Sequence, residues 1–109
     1  MARLLVRKYC VELKRAIRFH LFLPEGAEIS SIRVKSSPVS KHLSEGETVI
    51  WIWALIDLSN PEEERDFLLV KTDQVVIPVD LNLDNTSIRG TFVESEDTPA
   101  FHLLEIKKD

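Results

Sequence analysis

The sequence predicts an all-β domain, a small β-sandwich or partly open barrel of about eight short strands with at most one short helical turn. Three observations carry this reading. Apolar residues alternate with period 2 in most segments, no stretch of useful length has helical periodicity, and turn signals recur about every 8 to 12 residues. The chain has 109 residues, 44% of them hydrophobic and 29% charged, which suits a single domain over residues 1–109.

Residues 3–13 read as the first strand. Leu4, Val6 and Cys10 share one face and Arg3, Leu5, Arg7 and Tyr9 the other, so the pattern leaves open which face is core. Residues 16–23 alternate more cleanly, with Ile17, Phe19, Leu21 and Leu23 inward and Arg18, His20 and Phe22 opposite. Residues 12–15 then read as a hairpin turn between these two strands. The segment 24–27, Pro-Glu-Gly-Ala, is a turn in which glycine supplies the positive φ of a type II geometry. A third strand carries Ile29, Ile32 and Val34, whose uneven spacing predicts a bulge. The polar stretch 36–46, with Pro38 and Gly46, is a loop long enough to be mobile or functional.

Residues 48–57 form the most apolar strand, with Ile50, Ile52, Ala54 and Ile56 alternating with Trp51, Trp53 and Leu55, and are expected at the centre of a sheet. Pro61 followed by three glutamates predicts a single helical turn over 61–65, proline suiting the first helical position and acids the positive end of the turn dipole. Segments 67–72, 75–79, 87–94 and 101–107 complete the strands.

Charge is uneven. Residues 1–42 carry nine Lys/Arg against three Asp/Glu and residues 43–109 five against fifteen, +6 and −10 within a net −4. An acidic chain with a basic segment argues against a sequence-independent grip on duplex nucleic acid and permits a local anion site, although cross-strand ion pairs account for the same pattern. No apolar run approaches the roughly 20 residues of a membrane helix, and the first residues lack a cleavable export signal, so a soluble cytoplasmic protein is expected. The single Cys10 excludes an internal disulfide and reads as an inert core thiol. His20, His42 and His102 lack paired zinc-ligand spacing, and no metal or other cofactor is expected.

Gly26, Gly46 and Gly90 are all the glycines, which excludes both glycine-rich phosphate-binding motifs and a nucleophile on a glycine-flanked elbow. The acid runs 62–64 and 94–97 fall in predicted turns and read as solvated surface. An enzyme is therefore not expected. Trp51 and Trp53 share a face roughly 7 Å apart along their strand and serve either as core packing or as a stacking platform for a base. His102 reads as a half-buried, hydrogen-bonded histidine or as a ligand contact.

Several fragments then follow a known order: L-P-E-G-A at 23–27, I-x-x-I-x-V at 29–34, W-A-L-I-D at 53–57, E-R-x-F at 64–67, G-T-F at 90–92 and F-H-L-L-E at 101–105. Together, over residues 9–106, they resemble a family of small phage-encoded domains of unknown function. That family usually has a T-G pair near Thr72, where this chain has Asp73, and a shorter loop at 36–46. The resemblance implies a β-rich fold and phage provenance, hence a bacterial host cytoplasm, and carries no catalytic residues.

Among small phage proteins without catalytic motifs, those that sequester the nucleotide signals of bacterial immunity have requirements similar to what this chain offers: a compact scaffold, aromatics to stack a base and cations to neutralise phosphate. The expected function is such sequestration without conversion of the ligand. Inhibition of a host protein and a virion or structural role are the alternatives. Arg65 and Arg89, then Arg18 and Lys71, are the candidate phosphate donors, Trp53 and Phe22 the stacking residues, and His102 a hydrogen-bond partner for base or ribose. Arg65→Ala is expected to weaken binding and leave the fold intact. A homo-oligomer is expected because the strand bearing Trp51, Trp53 and Leu55 is apolar on both faces.

Overall fold

A computed structural model describes residues 1–14, 17–37, 47–75 and 81–107. Among them lie seven strands and no helix: β1 (Leu4–Lys14), β2 (Arg18–Pro24), β3 (Glu28–Ser37), β4 (Glu47–Asp57), β5 (Glu62–Lys71), β6 (Thr86–Phe92) and β7 (Phe101–Ile106). They form two antiparallel sheets, β1-β4-β3 and β2-β5-β7-β6, stacked as a sandwich that does not close into a barrel. The all-β reading and the central place of the 48–57 strand hold. Residues 76–79 of the strand predicted at 75–79 and most of the 36–46 loop lie outside the described residues.

The period-2 patterns build the core directly. Phe19 and Leu23 of β2, Ile32 and Val34 of β3, Ile50, Ile52, Ala54 and Ile56 of β4, Phe67 and Leu69 of β5, and Leu103 of β7 fill the space between the sheets. The Phe19 and Phe67 rings stack with centroids 5.5 Å apart. β5 is buried on both faces, because Leu68 and Val70 join Ile106, Leu104 and Leu81 in a second apolar cluster on the far side of its sheet. On β1 the core face is the odd one: Leu5, Tyr9, Val11 and Leu13 pack inward, while Leu4, Val6 and Cys10 are exposed. The expected inert core thiol at Cys10 is thus corrected to a surface thiol.

Two further expectations are overturned. β1 and β2 do not form a hairpin. Residues 12–14 belong to β1, which pairs with β4 along its whole length, while β2 pairs with β5 in the opposite sheet. The helical turn at 61–65 is instead the start of β5, where Pro24, Leu23 and Phe22 pair with Glu62, Glu63 and Glu64. Proline and acids favour a helical start by at most ~1 kcal/mol, which a continuing antiparallel ladder outweighs. The Pro61 carbonyl accepts from the Glu25 N–H at 2.8 Å and extends the pairing to the neighbouring turn.

The 24–27 turn forms as expected, with Ala27 N–H on the Pro24 carbonyl at 3.1 Å and Gly26 at φ +82°. The predicted bulge in β3 falls between Ile29 and Ser31, leaving Ser30 as the extra residue. Its hydroxyl donates to the Trp53 carbonyl at 3.0 Å. β6 carries a second bulge between Ile88 and Gly90, with Arg89 as the extra residue. No helix among the described residues is long and apolar enough to cross a membrane.

Candidate ligand groove

The outward face of β1-β4-β3 is built by the odd residues of β4. With Ile50, Ile52 and Ala54 fully buried, Trp51 and Trp53 turn outward and remain half-buried. Register sets their neighbours: Arg33 of β3 and Cys10 of β1 lie directly opposite Trp51, and Ser31 and Lys8 opposite Trp53. Lys35 opposes Val49 one pair further along. The bulge at Ser30 is what places the cations here. Before it Ile29 faces the core, after it Ile32 and Val34 do, so Arg33 and Lys35 move to the tryptophan side.

Lys8, Arg33, Lys35, Trp51 and Trp53, with Phe92 at the end of β6 and Val93 and Glu94 beyond it, line an open groove of about 840 Å³, within the usual size range of small-molecule sites. Among the described residues its charges are Lys8, Arg33 and Lys35 against Glu94, a cationic surplus. No ion pair engages the three cations among the described residues. The arrangement offers two aromatic faces beside guanidinium and ammonium donors, the combination that holds a planar anionic ligand by stacking and charge-assisted hydrogen bonds.

Of the seven ligand contacts expected from the sequence, Trp53 is in this groove and the other six are elsewhere. Arg65 and Arg89 converge on Glu105. Arg65 Nε and Nη2 donate to its two oxygens at 2.6 and 2.7 Å, Arg65 Nη1 to the Ala27 carbonyl at 2.6 Å, and Arg89 Nε to Glu105 Oε1 at 2.8 Å. Arg65 and Glu105 are only 11% and 12% exposed, so this fork ties β5, β6 and β7 together at the end of the core. Burial pushes the Glu105 carboxyl up, but hydrogen bonds and charge from both arginines outweigh it and hold the group below the usual glutamate value. A smaller hollow of about 360 Å³ beside them is lined by Ala27, Ile29 and Ile88 as well.

Arg18 clasps the buried Asp66 carboxylate through Nε and Nη2, the latter at 2.6 Å. His20 Nδ1 lies 3.1 Å from Glu64 beside that pair. Lys71 sits over the Phe101 ring, 5.7 Å from its centroid, at the rim of a 470 Å³ hollow floored by Leu13, Leu69 and Phe101. Among the described residues that hollow has one cation and no exposed ring pair, and matches an anionic planar ligand less well than the tryptophan groove. His102 is half-buried with both ring nitrogens engaged, Nε2 2.8 Å from Thr72 Oγ1 and Nδ1 3.0 Å from Thr91 Oγ1. Phe22 is exposed on the outward face of the other sheet, across the sandwich from Trp53, so one protomer cannot bring those two rings to one ligand.

Sequence reasoning missed Arg33, Lys35 and Lys8. The signal was the uneven spacing of Ile29, Ile32 and Val34, which fixes the side on which Arg33 emerges once β3 is known to pair with β4. Among the described residues no three His, Cys, Asp or Glu side chains gather in a metal-binding cluster.

No curated protein and no solved structure matches the chain. A family model described as Domain of unknown function (DUF7352) matches residues 4–109, essentially the full described fold from the first residue of β1 onward. The chain belongs to the DUF7352 family.

Proposed function

We propose that the protein is a reversible binding module for a nucleotide-derived anion, held without conversion on the Trp51/Trp53 groove. The observation that carries this reading is the cross-strand placement of Arg33 and Lys8 directly opposite two outward tryptophans. A base stacked on tryptophan gains about 1–3 kcal/mol, and an arginine beside the ring adds both a phosphate donor and a cation–π contact. Among the described residues that line the groove Glu94 is the only carboxylate and there is no histidine or hydroxyl, so these residues suit holding a ligand better than cleaving one. In a phage context such a module sequesters an immune signalling nucleotide of the host.

The test uses the protein with a panel of cyclic and ADP-ribose-derived nucleotides, following tryptophan fluorescence and then assaying what heat denaturation releases. Quenching, followed by recovery of unchanged nucleotide, is the expected result. Trp51→Ala and Arg33→Ala should each weaken binding by about 1.5–3 kcal/mol. Degraded nucleotide would mean an enzyme. No depletion of any panel member, with a host protein retained instead, would replace this reading by protein–protein inhibition.

A further inference from the structure

Among the described residues the sandwich has four edge strands, and three carry a bulge, or a short length with a proline, that discourages pairing with another chain. β3 and β6 are bulged, and β2 is seven residues long and ends in Pro24. β1 is different. It is eleven residues long, contains neither proline nor glycine, and pairs with β4 through eleven consecutive positions without a register shift. Its other edge has no strand partner among the described residues. Apolar side chains flank that edge on both faces, with Leu4 and Val6 exposed at 65% and 61% on one side and Leu5, Tyr9 and Val11 partly buried on the other.

We propose that this edge pairs with β1 of a second copy of the same chain, antiparallel about a twofold axis at Cys10, to make a continuous six-stranded sheet in the order β3-β4-β1-β1-β4-β3. The charges of the strand select this register. With Cys10 opposite Cys10, Lys8 of each copy faces Glu12 of the other on the outer side, Tyr9 faces Val11 on the inner side, and Arg7 faces Leu13. Moving the axis to Lys8 sets two lysines against each other. Moving it to Tyr9 or Val11 leaves Lys8 without Glu12. Of the registers that keep residues 7–13 paired within β1, the one at Cys10 alone joins opposite charges twice with no like-charge pair, and an isologous contact of this kind closes on itself instead of growing. Cys10 neighbours Trp51 in the β1–β4 register, so the two ligand grooves would lie on one shared face, with Lys8 held by Glu12 and Arg33 and Lys35 left as the groove cations.

The experiment measures mass by light scattering and treats the purified full chain with a short bis-maleimide that spans two facing thiols. The expected result is a particle of twice 12.5 kDa in the micromolar range and a cross-linked dimer that Cys10→Ser abolishes. Lys8→Glu and Glu12→Lys should each shift the protein towards monomer, and the double variant Lys8→Glu/Glu12→Lys should restore the dimer, a rescue that misfolding would not give. A monomer across that range overturns the proposal. So does a dimer indifferent to both charge reversals and inert to the cross-linker, which would place the contact on another face. Monomers that bind nucleotide normally would remove this interface and leave the ligand groove standing.

Discussion

Gly90 of β6 lies against Ile32 of β3, so that a Cβ on the glycine would come 3.3 Å from Ile32 Cγ2. The two residues belong to different sheets, and their contact is where the bulged edges of the sandwich meet. Ile32 is buried and packed in the main core, so it can yield only slightly. Gly90→Val should therefore destabilise the protein by about 1–3 kcal/mol through overpacking. In the Ile32→Ala background the same change should cost less, and denaturant titration of the double-mutant cycle measures the difference.

Arg65→Ala should cost about 3 kcal/mol of stability, because it leaves the nearly buried Glu105 with one arginine and the Ala27 carbonyl without its donor. This reverses the sequence-based expectation of an intact fold. Chemical denaturation without any ligand present checks it, and a variant as stable as the parent would show that the fork contributes little.

The depressed carboxyls predict acid sensitivity. Glu105 is held low by its two arginines against burial, and Asp57 by the Ser59 hydroxyl and the N–H groups of Arg3 and Ser59. In the acid range the unfolded chain binds more protons at these groups than the folded one. Their contribution is complete above the ordinary carboxylate values of about 4 and is lost as pH falls through the lower folded values. Denaturation midpoints should be flat near neutrality and drop below about pH 4, and Glu105→Gln should make that drop shallower while lowering stability at pH 7.

Asp73 adopts φ +65° in the turn closed by Gln74 N–H on the Lys71 carbonyl. A left-handed φ is costly for a residue with a Cβ, less so for aspartate than for most. Asp73→Gly should raise stability by about 0.5–1 kcal/mol, read as a higher thermal midpoint.

The strands, the 24–27 turn and the bulge in β3 were legible because each is written in local spacing: alternation, a glycine two positions after a proline, an apolar residue arriving one position late. Partnership was not. Alternation in β1 and β2 is equally compatible with a hairpin and with strands in opposite sheets, and only the β1–β4 pairing decides between them. The tryptophan pair could be read from residues 48–57, whereas its cations depend on how β3 aligns with β4 beyond Ser30. Arg65 stood as a candidate phosphate donor because its partner Glu105 lies 40 residues away in sequence, beyond any local reading.

The pairing of β1 with β4 has a consequence for how the chain acquires its shape. The Arg3 N–H is bonded to Asp57 across 54 residues, so during synthesis β1 must wait for β4 before its ladder can form. Closing so long a segment costs entropy before any contact rewards it, which puts folding in the millisecond-to-second range of non-local β-proteins. During that wait an eleven-residue strand is open along both edges, and synthesis rate and chaperone access, more than final stability, would then govern the yield of native protein.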